Sequence, residues 1–161
     1  MPRVYVSVGS NIDKERNIRS AMAELRRRYG DIVASSVYES EPVGLEADNF
    51  YNLVVAFDTQ LAPAALIASL HDIESRHQRL KREKRFTSRT LDLDLLLYDD
   101  IVLRDGALEI PREEVTTCAY ALGPLAEIAG DARHPVTGER FADLWTRFDR
   151  SSQVIWPVEL G

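Results

Sequence analysis

Along this chain the spacing of apolar side chains switches between two residues and about 3.6 in a fixed order, and that order limits the fold more than any single residue does. Val4, Val6 and Val8 alternate with Tyr5 and Ser7, a strand that Gly9-Ser10-Asn11 is expected to break. From about Asp13 to Tyr29, Ile18, Met22 and Leu25 recur at helical spacing, with Gly30 as a stop. "DIVASSVYES" reads as a second strand and "FYNLVVAFDT" as a third, separated by the loop "EPVGLEAD" with Pro42 and Gly44. Pro63 opens a second helix whose apolar face is Leu66, Ile67, Leu70 and Ile73, running to about His77. "TLDLDLLLYDD" is the fourth strand, with Leu91, Leu93, Leu95 and Leu97 expected on one face and Asp92, Asp94, Leu96 and Tyr98 on the other.

The order βαββαβ predicts an α+β, ferredoxin-like core: an antiparallel sheet with two helices on one face. "IVL" and "ALEI" follow as short strands, then "AYALGPLAEIAG" and "RFADLWTRF" as short helices. With 161 residues, no internal repeat and no linker, a single domain over 1–161 is expected. No stretch approaches the roughly 18 apolar residues of a membrane helix, which excludes the membrane. The first residues form a strand rather than a secretory signal, and Cys118 is the lone cysteine, so the expected compartment is the cytoplasm.

The formal net charge is −6, which disfavours nucleic acid as a partner, yet six of the 20 basic residues crowd between positions 79 and 89. That run leads straight into Asp92 and Asp94, which share one strand face about 6.5–7 Å apart. Alone, each feature reads as solvated surface. Together they suit a polyphosphate: two carboxylates on an apolar strand can hold a divalent cation, oxygen-only donors favour Mg²⁺, and arginines and lysines neutralise the remaining phosphate charge. The chain has no G-x-x-x-x-G-K-[ST] loop, so phosphate binding falls to side chains. His71, His77 and His134 are scattered, and Ser7 and Ser10 lack a nucleophile elbow, so nothing supports a hydrolase.

"RTLDLDLLLYDD" resembles the signature of the 6-hydroxymethyl-7,8-dihydropterin pyrophosphokinase family, and "VYVSVGSN", "SSVYESEPVG", "NFYNLVVAFDT" and "GPLAEIAG" follow that family's order over about residues 3 to 130. The resemblance implies transfer of diphosphate from ATP to the pterin hydroxymethyl group, giving AMP, in folate biosynthesis. It implies that Asp92 and Asp94 hold two Mg²⁺ ions, and that Arg79, Lys81 and Arg89 join them in catalysis. Glu74, Arg79, Lys81, Arg85, Arg89 and Arg112 are implied to bind ATP. Ser40, Pro42, Val43, Asn52, Phe86, Asp92 and Tyr120 are implied to hold the pterin, with Phe86 and Tyr120 clamping its two faces.

The chain departs from the family pattern at Phe86-Thr87-Ser88, where Trp, Gly and Pro are usual. It departs again at Arg112, where a histidine is usual, and at Cys118, where an arginine is usual. A divergent member acting on another reduced pterin, or acting slowly, and a non-catalytic nucleotide- or pterin-binding domain therefore stay open beside the main reading. The partners expected are small molecules only, with the chain acting as a monomer.

Overall fold

A computed structural model describes residues 1–42, 48–78 and 90–160. Its elements run β1 (Arg3–Ser10), α1 (Lys14–Tyr29), β2 (Val33–Ala34), β3 (Val37–Ser40), β4 (Phe50–Asp58), α2 (Pro63–Gln78), β5 (Asp92–Tyr98), β6 (Leu103–Asp105), β7 (Leu108–Ile110), α3 (Glu114–Thr117), α4 (Ala119–Ala129), α5 (Phe141–Arg147) and β8 (Ile155–Val158). The main sheet is antiparallel in the order β5-β1-β4-β3-β8, with β2 also on β4, while β6 and β7 form a separate hairpin. Disregarding β8, this is the arrangement of a βαββαβ unit, as the apolar periods predict.

Three layers bury the apolar faces. On one side Val4, Val6 and Val8 of β1 and Leu53, Val55 and Phe57 of β4 pack against Ile18, Ala21, Met22 and Leu25 of α1 and Leu66, Leu70 and Ile73 of α2. Tyr29 stacks on Phe57 with ring centres 4.4 Å apart. Gly30, at φ 84°, closes α1 in a conformation that costs glycine little. On the other side Val54, Leu96 and Leu97 meet Ala121, Leu122 and Leu125 of α4 and Phe141 of α5.

Four expectations need correction. Gly9 and Ser10 do not break the first strand; β1 continues through both, with Gly9 paired to Asn52 and to Asp92. The second strand is split at Ser35 and Ser36, because the Ser35 hydroxyl takes the Val54 N–H and the Ser36 N–H turns to the Glu127 carboxylate. The faces of β5 are as expected only up to Leu96. Opposite the β1 step from Val6 to Tyr5 the partner advances from Leu95 to Leu97, so Leu96 is an inserted residue, a β-bulge. Beyond it the alternation inverts: Leu96 and Leu97 both join the α4 side and Tyr98 joins the α1–α2 side. Finally, α3 and β8 were not anticipated; α3 is a single turn, and β8 contains Pro157, which suits an edge strand.

Candidate active site

The sheet register lines up one row of side chains across three strands. Asp92 pairs with Gly9, and Gly9 with Asn52, all facing the α4 side; the next row is Asp94, Ser7 and Val54. The Asp92 and Asn52 backbones stand two interstrand spacings apart, about 10 Å, with Gly9 between them. A Cβ there meets Asn52 Nδ2 at 2.6 Å. Glycine near the end of β1 thus leaves room for the Asn52 amide over its bare backbone. Asn52 is 7% exposed, and its amide makes no hydrogen bond to another described residue.

β5 is an edge strand, and its outward backbone groups are met from two elements. Glu74 Oε2, from the last turns of α2, accepts the Leu93 N–H at 2.7 Å, and the Arg112 N–H donates to the Leu96 carbonyl at 3.1 Å. This arrangement gathers Glu74, Asp92 and Asp94 at one spot. Burial pushes the Glu74 carboxyl up to about 7, the Leu93 hydrogen bond opposes that, and the Asp92 and Asp94 charges add to it. Burial also raises Asp94, Asp92 adds to the rise, and Arg112 counters it. Three carboxyls that repel one another at a sheet edge are short of positive charge. Arg112 supplies part, but it is tied to Glu114 by a 2.8 Å ion pair. Among the described residues no group of three or more His, Cys, Asp or Glu could hold an ion by protein ligands alone. Two carboxylates sharing a face, with charge deficient around them, suit a hard cation that completes its shell from water and phosphate.

Two cavities open at the two ends of the sheet order. One, of about 300 Å³, lies against β5 between α2 and the β6–β7 hairpin; Ile67, Leu70, Leu95 and Leu108 give it apolar walls, and Asp94 and Arg112 a polar end. The other, of about 500 Å³, lies at the β3–β8 end and is lined by Ser40, Pro42 and Tyr120 together with residues 152–156. Tyr120 relates the second cavity to the carboxylates: burial raises its phenol, and Cys118, Glu114 and Asp94 raise it further.

Of the residues singled out in the sequence, Glu74, Asp92, Asp94 and Arg112 are brought together at the β5 edge. Ser40, Pro42 and Tyr120 share the second cavity, and Asn52 stands on the Asp92 row. Val43, Arg79, Lys81, Arg85, Phe86 and Arg89 lie outside the described residues. Two neighbours of the site escaped the sequence reading. Gly9 had a signal, a glycine within an alternating strand pattern, which was read as a break. Gln153 had none, since a glutamine in a loop carries no periodicity.

Residues 5–130 match the model of the 7,8-dihydro-6-hydroxymethylpterin-pyrophosphokinase (HPPK) family. A Pseudomonas aeruginosa protein named 2-amino-4-hydroxy-6-hydroxymethyldihydropteridine pyrophosphokinase is 37% identical over 83% of this chain and 84% of its own length. A Methylorubrum extorquens protein of the same name is 36% identical over 94% of this chain and 96% of its own. Among solved structures, a Plasmodium falciparum HPPK-DHPS triple mutant superposes with a TM-score of 0.75 at 14% identity, over 91% of this chain and 41% of that one. An HPPK-DHPS in complex with substrates gives 0.72 at 14% identity, over 94% and 44%. The chain spans less than half the length of these solved chains, and at that identity the likeness concerns the fold.

Proposed function

This chain belongs to the 7,8-dihydro-6-hydroxymethylpterin-pyrophosphokinase family, and on that premise we propose that it transfers diphosphate from ATP to the hydroxymethyl group of 6-hydroxymethyl-7,8-dihydropterin, releasing AMP, in folate biosynthesis. The observation that carries the reading is the row Asp92–Gly9–Asn52, set between two cavities at opposite ends of the sheet. A two-substrate transfer needs such an arrangement: a place for each substrate and a charged line where they meet.

In this reading the smaller cavity takes the adenine base between α2 and the hairpin, because its walls are apolar and its polar end, Asp94 and Arg112, faces the phosphates. Asp92 and Asp94 hold two Mg²⁺ ions, which supply charge neutralisation across the triphosphate. Glu74, hydrogen-bonded to the Leu93 N–H, braces β5 beside them. Arg112 serves a phosphate by exchanging Glu114 for it, and Arg79, Lys81, Arg85 and Arg89 contribute positive charge for the phosphates. Asn52 reads the amide edge of the pterin over the Gly9 floor, Asp92 lies by the hydroxymethyl end, and Ser40, Pro42, Val43, Phe86 and Tyr120 supply walls and clamp. The pterin hydroxyl oxygen attacks the β-phosphorus and gives up its proton to solvent water, the bond from that phosphorus to the α-β bridging oxygen breaks, and AMP leaves with that oxygen. Positioning and charge do the chemistry, so no covalent nucleophile is required.

The described parts lie in one chain around one main sheet, which supports a monomer and a single domain. The lone cysteine supports a reducing, cytoplasmic setting. Among the described residues no helix is long and apolar enough to cross a membrane. Calorimetry with α,β-methylene ATP tests the binding half: affinity for the analogue should depend on Mg²⁺ and fall in Asp94→Asn. Binding that ignores both the ion and the substitution contradicts the assignment of the carboxylates.

A further inference from the structure

The turn that presents Tyr120 is held by a side chain from far down the chain. Gln153 Oε1 accepts the Ala119 backbone N–H at 2.9 Å, and Gln153 Nε2 donates to the Thr117 carbonyl at 2.9 Å. Between those two points lies Cys118, which ends α3 and begins α4 and offers α4 no side-chain cap. One amide thus satisfies an orphan N–H of α4 and fixes the angle between the two helices. Gln153, Ala119 and Tyr120 line the same 500 Å³ cavity.

The segment carrying Gln153 is itself anchored. Ile155 pairs with Ser40 across β8 and β3, and its Cδ1 lies where a Cβ on Gly123 of α4 would come within 2.8 Å. Trp145 of α5 would lie 3.1 Å from the same Cβ. The stretch from 131 onward, beyond the residues that match the family model, therefore grips α4 along its length and ends its grip at the cavity mouth.

We infer that Gln153 is a positioning residue for the pterin: by bridging Thr117 and Ala119 it sets the α3–α4 junction and hence the angle at which Tyr120 meets the ring. The inference rests on the reading of Tyr120 as a ring clamp. Among the described residues Gln153 bonds only backbone, so it acts on the ring through Tyr120, and it acts on one substrate, since the cavity assigned to ATP lies at the other end of the sheet. A clamp that binds ground state and transition state alike changes KM rather than kcat.

The test is steady-state kinetics of Gln153→Ala with both substrates varied. The KM for 6-hydroxymethyl-7,8-dihydropterin should rise roughly tenfold, as expected for the loss of two neutral hydrogen bonds, while kcat and the KM for ATP stay within about twofold. Glu127→Gln is the control for a purely structural role, because Glu127 ties the same helix to Ser36 and Tyr38 away from the junction. It should lower the melting temperature and leave the pterin KM unchanged. Should Gln153→Ala fail to fold, Gln153→Glu keeps the acceptor for Ala119 and loses the donor to Thr117, and should give a smaller rise in the same KM. An unchanged pterin KM in the Gln153 variants, an equal rise in both KM values, or the same pterin effect in Glu127→Gln overturns the inference. Calorimetry of the wild-type protein with the pterin and α,β-methylene ATP separates two failures. No pterin binding there overturns the functional reading and this inference together, whereas wild-type binding that Gln153→Ala leaves intact overturns this inference alone.

Discussion

Glu74 has an ordinary value of 4.5 and stands at about 7 in the folded chain, chiefly because it is buried. Between those two pH values the folded protein keeps a proton that the unfolded chain has released. The stability of the ligand-free protein should therefore fall as pH rises from about 4.5 to about 7, and the Glu74 contribution should be flat above that. Glu74→Gln keeps an oxygen for the Leu93 N–H and removes the charge, so it should stabilise the ligand-free protein at pH 8 by on the order of 3 kcal/mol and change little at pH 4. Thermal melts of both proteins across that range check it. Asp94→Asn relieves the same crowding and should raise the melting temperature without ligand, while turnover falls on the order of a thousandfold. At this scale the sequence was informative about charge: a D-x-D on a strand after a basic run gave the carboxylate pair. It was uninformative about Gly9, whose job is defined by Asn52 on a neighbouring strand. Gly9→Ala should turn the Asn52 amide aside and raise the pterin KM roughly tenfold, leaving ATP binding unchanged.

At the scale of elements, the helices α1 and α2 and the strand β4 came out where their periods placed them, because a 3.6-residue stripe or an alternating run contains its own burial instructions. β5 shows where that logic stops. Leu93 to Tyr98 reads as one uniform strand, and nothing in four leucines and a tyrosine marks Leu96 as the inserted residue; the bulge appears only in pairing with β1. Its effect is to let one short strand feed both cores, Leu95 and Tyr98 on one side and Leu96 and Leu97 on the other. β8 was illegible for a similar reason: Pro157 argues against a strand, and only β3, already one strand from the edge, makes it one. The contact of β8 with α4 is tight at Gly123. Gly123→Ala should cost about 1–3 kcal/mol by overpacking against Ile155 and Trp145, and Ile155→Val should recover part of that loss in the double variant, a coupling that equilibrium denaturation measures.

For the whole molecule, the Asp92–Gly9–Asn52 row runs across the α4 side of the sheet from the β5 edge toward the β3–β8 cavity. The two-residue and 3.6-residue periods foretold the central sheet and the α1–α2 layer. They did not foretell that residues beyond 130 would wrap back, add β8, seat α5 on α4 and complete the wall of the larger cavity; β8 alone pairs with a strand more than a hundred residues earlier in the sequence. The account stands on one reaction performed between the two cavities. Incubating the protein with Mg²⁺, ATP and 6-hydroxymethyl-7,8-dihydropterin and resolving the nucleotides chromatographically should give AMP and the pterin diphosphate in equal amounts, and neither without the pterin; ADP as the product, or AMP release that does not depend on the pterin, would contradict it.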